Sequence, residues 1–120
     1  MGKIPAPAPI VFLRDRFGGD FEESDGVVNV GIASVRVVEN DPEAISLTIV
    51  NTGADNVYIA PNNQVSSTFG IILNPGGTVS LSVRDDATLP SREWWALGAS
   101  AGQTLYYVRL RRYVTIAQVG

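Results

Sequence analysis

The chain has 120 residues, 45% of them hydrophobic and 18% charged, and carries a net charge of −3 at pH 7. That is one domain's length with enough apolar content for a packed core, which excludes global disorder, and the acidic balance excludes a general nucleic-acid binder. Cysteine and histidine are both absent, which removes disulfides, thiol and imidazole catalysis, His-dependent triads and Cys/His zinc sites.

In chain order, residues 1–26 differ from the rest. Pro5, Pro7 and Pro9 alternate with alanine, a pattern that favours extended polyproline II backbone. A secretory leader would need an apolar helical stretch there, and Ala6 stands where N-myristoylation wants Ser or Thr. No run approaches the roughly 18 apolar residues of a membrane span. Ile10-Val11-Phe12-Leu13 is a short apolar run, followed by a charged, turn-rich stretch to Gly26. The segment reads as an extended N-terminal arm that gains its order from a neighbouring subunit.

Residues 27–120 read as a β-sandwich. Val27 to Val38 is rich in β-branched residues and predicts one strand, with Gly31 as a bulge. Asn40-Asp41-Pro42 predicts a turn, Ile45–Ile49 a half-buried strand, Asn51–Asp55 a turn and Asn56–Ala60 a short strand. Phe69–Leu73 predicts a strand closed by the turn Asn74-Pro75-Gly76-Gly77. Thr78–Val83 alternates, with Val79, Leu81 and Val83 facing inward. Trp94–Leu97 and Thr104–Tyr113 complete about seven strands, with minimal helix. The expected fold class is all-β: a single antiparallel β-sandwich, jelly-roll or Ig-like, over residues 27–120, with the arm over 1–26.

Few groups suggest chemistry. Asp20, Glu22, Glu23 and Asp25 lack the ligand order of a calcium loop and read as a solvated or salt-bridging stretch. Asp85-Asp86 are sequence neighbours on a turn. They are poorly placed to oppose each other across a glycosidic bond, and read as acceptors for backbone donors. Asn74–Gly77 lacks the Gly-Lys-Ser/Thr of a phosphate loop. No catalytic residue, metal site or cofactor is expected, and the chain does not read as an enzyme.

Contact-making residues are clearer. Adjacent strand residues face opposite sides, so one of Trp94 and Trp95 enters the core and the other meets solvent, a sugar or a partner. In the last strand Leu105, Tyr107, Arg109 and Arg111 share a face, and Arg112 follows. Residues 1–60 hold four basic and nine acidic groups, residues 61–120 five and three. An acidic first half and an arginine-bearing last strand are complementary, within one chain or between copies. Ile10, Val11, Phe12, Leu13, Trp94, Trp95, Arg109, Arg111 and Arg112 are the candidate partner-binding residues.

The runs Asn51-Thr52-Gly53 to Asn56-Val57-Tyr58-Ile59-Ala60, Gly70-Ile71-Ile72-Leu73-Asn74-Pro75-Gly76-Gly77 and Trp94-Trp95-Ala96-Leu97-Gly98-Ala99-Ser100-Ala101-Gly102-Gln103 resemble a pattern of small structural proteins of tailed bacteriophage virions. The resemblance covers about residues 45–113 and implies no catalytic residues. It implies a capsid decoration (cement) protein on the virion surface. Such a protein is assembled in the host cytoplasm, binds the major capsid protein or other virion subunits, and forms a homo-oligomer with a trimer favoured. Neither nucleic acid nor membrane is an expected partner. A tail, neck or head-fibre accessory is the alternative within the virion, and a carbohydrate-binding module using an exposed Trp is the alternative outside it.

Overall fold

The computed structural model describes residues 20–113. Eight strands are formed: β1 (Asp20–Val30), β2 (Val35–Val38), β3 (Ala44–Asn51), β4 (Val57–Ala60), β5 (Ile71–Leu73), β6 (Thr78–Ser82), β7 (Trp94–Gly98) and β8 (Gln103–Tyr113). A single α-helical turn, α1 (Val83–Asp86), and a 3-10 turn (Leu89–Ser91) lie between β6 and β7.

The strands make two four-stranded antiparallel sheets, ordered β1-β8-β3-β6 and β2-β7-β4-β5. The chain is thus paired first with last: β1 with β8, β2 with β7, β3 with β6, β4 with β5. One long antiparallel ribbon, folded across itself, gives this order, which is a jelly roll. The all-β sandwich is therefore formed, and of the two expected topologies the strand order selects the jelly roll.

The core lies between the sheets. Leu47, Ile49 and Leu105 from the first sheet meet Val57, Ile59, Trp94 and Ala96 from the second, all essentially without solvent exposure. The alternating pattern of β7, with Trp94, Ala96 and Gly98 buried and Trp95 and Leu97 half-buried, is the two-residue period of a strand with one face in the core. Trp94 is the inward tryptophan, and its Nε1 donates to Leu89 O at 2.9 Å. A buried indole thereby keeps its hydrogen bond.

Three expectations change. Residues 27–38 are two strands in different sheets, because the chain crosses the sandwich at residues 31–34 and Gly98 N donates to Gly31 O (2.8 Å) to fix the crossing. The stretch 20–26, assigned from sequence to the arm, is the first half of β1 and pairs with β8 throughout. Val83 does not face inward. Ser82 accepts from Asp85 N (3.2 Å) as an N-cap and starts α1, which leaves Val83 exposed. Asp85 and Asp86 serve this cap: Ser82 N donates to Asp86 Oδ2 (2.9 Å) and Ser82 Oγ to Asp85 Oδ2 (3.3 Å).

Candidate functional site

The three arginines of β8 have separate fates. In the ladder with β1, Leu105, Tyr107, Arg109 and Arg111 face Val28, Gly26, Ser24 and Glu22, and this is the core-facing side. Arg109 is only 5% exposed. Its guanidinium donates to Glu39 O (2.6 Å), Arg92 O (2.9 Å) and Pro90 O (3.2 Å), tying the β2–β3 loop and the segment before β7 to β8. Burial pushes its pKa down, and its Nε has no partner. The expectation that Arg109 meets a partner is corrected: the side chain is buried and committed within its own domain.

Arg111 pairs inside the chain as well, through Nε to Asp41 Oδ2 (2.7 Å) and Nη1 to Glu22 Oε1 (2.8 Å). The Arg111 hydrogen bond holds the Asp41 carboxyl below its ordinary range, against the opposing effect of its partial burial. Asp41 is therefore ionised near neutrality and cannot serve there as a general acid. Arg112 is exposed and reaches Glu43 only at 3.4 Å. The charge complementarity between the acidic stretch and the last strand is thus realised within one chain for Arg111, and only Arg112 keeps a largely open guanidinium. The acidic run makes contacts within the chain. Glu22 pairs with Arg111, and Asp25 accepts from the Tyr106 hydroxyl (2.7 Å), which raises the Tyr106 pKa. Among the described residues no group of three or more acidic side chains is placed to hold a metal ion.

A polar clasp at the opposite end of the sandwich escaped the sequence reading. Asn51 is fully buried. Its Nδ2 donates to Asp55 O and Leu73 O, both at 2.8 Å, and its Oδ1 accepts from Gly53 N (2.9 Å). Gln103 Oε1 accepts from Ala54 N (2.8 Å) and Asp55 N (2.9 Å), while its Nε2 donates to Ser100 Oγ (3.0 Å). A Cβ on Gly53 would collide with Gln103 Oε1. The Asn-Thr-Gly and Ser-Ala-Gly-Gln parts of the phage-like pattern therefore hold loops together. The signal available in sequence was two amide side chains inside predicted turns.

The outer surface of the second sheet is unusually apolar for a solvent-facing side. The register places Arg36 and Ala60 on either side of Trp95, and Leu97 and Ile72 on either side of Tyr58. Trp95 is the outward tryptophan, half-buried, with its Nε1 enclosed and unpaired. At the β5 edge Ile72 (54%) is exposed on this face and Ile71 (42%) on the opposite, core-side face, with Phe69 (50%) exposed just before the strand. Ile10, Val11, Phe12 and Leu13 lie outside the described residues.

No protein-family model matches the chain, and no curated protein matches it significantly. Among solved structures it is similar to the subunit of Bacillus endospore appendages, a family of disulfide-linked pili. That likeness has a TM-score of 0.52 at 14% identity, over 79% of this chain and 88% of that one. It is also similar to a de novo designed double-stranded β-helix (TM-score 0.42, 17% identity, 77% and 99% covered). A third is a dTDP-4-dehydrorhamnose 3,5-epimerase from Bacillus anthracis (TM-score 0.33, 12% identity, 88% and 62% covered). The first of these supports the sandwich fold.

Proposed function

We propose that this protein is a structural subunit of a bacteriophage virion: a capsid decoration protein that seats on the major capsid protein lattice and stabilises the head. The observation that carries the reading is the exposed apolar group Phe69, Ile71 and Ile72 at the β5 edge of the jelly roll, where Ile72 extends the outward row of Leu97 and Tyr58. Such a surface suits contact with other protein subunits. The phage-virion sequence pattern supports the same reading, and the motif residues that fix the loop clasp explain why a structural protein would need them. Several modest contacts per subunit, repeated over a lattice, give avidity without any single strong site. A homo-oligomer, with a trimer favoured, fits capsid positions of three-fold symmetry.

The test is co-sedimentation with phage heads stripped of accessory proteins, followed by heating of the loaded heads. Binding with raised heat resistance supports the reading. A folded chain that stays in the supernatant refutes it. The outward-facing Trp95, on the same sheet face as Tyr58, supports a second reading, a glycan-binding face, for which quenching of Trp95 fluorescence in a glycan screen is the measurement.

A further inference from the structure

Each sheet of the jelly roll ends in two open edges, at β1 and β6 in one sheet and at β2 and β5 in the other. An open edge presents unpaired N–H and C=O groups, and proteins blunt such edges with charges, polar residues or bulges. β1 carries exposed Glu22, Glu23 and Asp25. β2 carries exposed Arg36 and a register irregularity between Arg36 and Val38. β6 turns Thr78, Ser80 and Ser82 outward. β5 consists of Ile71-Ile72-Leu73 and has no such protection.

The register shows what β5 lacks. Ile71 and Leu73 face Ile59 and Val57, both fully buried, so they belong to the core side, while Ile72 faces Tyr58 on the outer side. Ile71 nevertheless remains 42% exposed and Ile72 54%. Among the described residues the sheet is thus uncovered on both faces at this edge, and a strand that covers it must be apolar at every position. Outside the described residues, one run of four has that property: Ile10-Val11-Phe12-Leu13. After β8 the chain reads Val114-Thr115-Ile116-Ala117-Gln118-Val119-Gly120, with polar residues interleaved.

The reach of the chain favours a run from another copy. The Leu73–Val57–Gly98 row lies level with Gly31, because Gly98 N donates to Gly31 O. Asp20 lies at the far end of the eleven-residue β1, roughly 30 Å along the strands from the level of Ile71 and about three strand spacings to the side. The seven residues from Leu13 to Asp20 span at most about 25 Å.

We propose that Ile10–Leu13 of a second copy of this chain adds as a strand along the open edge of β5, its alternate side chains covering Ile71 on the core side and Ile72 on the outer side. The proposal deepens the assembly reading above and rests on it, together with the expectation from the sequence that the N-terminal arm is held by a neighbouring subunit.

The absence of native cysteine makes the test direct. Chains carrying Val11→Cys or Phe12→Cys are mixed, under oxidation, with chains carrying Ile72→Cys, and separately with chains carrying Ser80→Cys on the β6 edge. One arm position, on the same face as Ile72, crosslinks to Ile72→Cys about tenfold faster than to Ser80→Cys, because docking raises the effective thiol concentration. Sedimentation velocity on the full chain shows an oligomer that Ile72→Lys and deletion of residues 2–13 both convert to monomer, with the circular-dichroism melting curve retained. A wild-type chain that is monomeric, or arm thiols that react equally with Ser80→Cys, overturns the proposal. Head binding distinguishes this from the function: heads bound without β5 crosslinks would leave the virion reading and remove this one, and β5 crosslinks without head binding would do the reverse.

Discussion

Arg109→Met is the substitution that most directly tests the assignment of Arg109 to the domain interior. The wild-type guanidinium bonds three backbone carbonyls, two of them at 2.6 and 2.9 Å and one at 3.2 Å. A hydrogen bond to a charged group contributes about 1.5–3 kcal/mol, so the two short bonds together represent roughly 3–6 kcal/mol. Two effects offset this. Removing a buried cation relieves a desolvation cost of several kcal/mol, a cost evident in the lowered Arg109 pKa. Methionine also fills much of the vacated volume. The carbonyls of Glu39, Pro90 and Arg92 belong to loops that cannot follow a shorter side chain. However, Glu39 borders a cleft of about 330 Å³ also lined by Ser24, Tyr107, Asp41 and Arg109 itself, through which water can reach its carbonyl. The net expected loss is about 2–3 kcal/mol. For a domain of this size each kcal/mol lowers the melting temperature by about 4–8 °C, so a fall of roughly 10–20 °C is expected. Differential scanning calorimetry and urea unfolding measure it, with Arg112→Met as a control that shifts stability by less than about 0.5 kcal/mol. A variant as stable as the wild type would refute the reasoning. The buried cation would then be a net liability to folding, and its retention would need a partner to explain it.

Four further outcomes follow from the same geometry. Asn51→Leu removes three hydrogen bonds at a fully buried position and leaves the carbonyls of Leu73 and Asp55 without that donor; a loss of about 2–4 kcal/mol in urea unfolding is expected. Gly53→Ala drives a Cβ into Gln103 Oε1 and breaks the clasp, with rapid amide exchange at Ala54 and Asp55 as the readout. Ala87 has φ of 55°, so Ala87→Gly removes a steric penalty and raises stability by about 1 kcal/mol. The Arg111 hydrogen bond holds the Asp41 carboxyl below the ordinary carboxylate range in the folded state. Its stabilisation is therefore fully present above that ordinary range and is lost as the pH falls through the lower folded value; Asp41→Asn should flatten the acid limb of the stability curve below about pH 4.

The legible part of the fold was the part whose apolar residues alternate. β3, β6 and β7 follow that rule, and the opposite facing of Trp94 and Trp95 came directly from it. The first half of β1 was hidden because its core-facing positions are Glu22, Ser24 and Gly26. At that end the interior is an ion-paired cluster around Arg111 and Asp41, so the expected hydrophobic period disappears. Gly26 is there because the Tyr107 ring lies across it, with its hydroxyl 3.1 Å from where a Cβ would sit. The crossing at residues 31–34 was hidden for a different reason: β-branched residues on both sides gave a continuous strand signal, while the reversal depends on a contact with Gly98, distant in sequence. The arginines of β8 were identified as important, but their burial depends on loops that supply carbonyls from other parts of the chain. Exposure of the β5 edge was invisible for the same reason, since an isoleucine in a strand carries no sign of whether a neighbour covers it.

The pairing of Asp20 with Tyr113 at one end of the β1–β8 ladder has a mechanical consequence. Pulling the chain ends apart would load the ladder one rung at a time, like a zipper, and open it at low force. A pull applied to the N-terminal segment against the far pole of the domain runs along β1 instead, and all eleven facing pairs resist in shear together. A domain pulled at Asp20 along β1 is therefore loaded in the direction in which its longest strand pair is strongest.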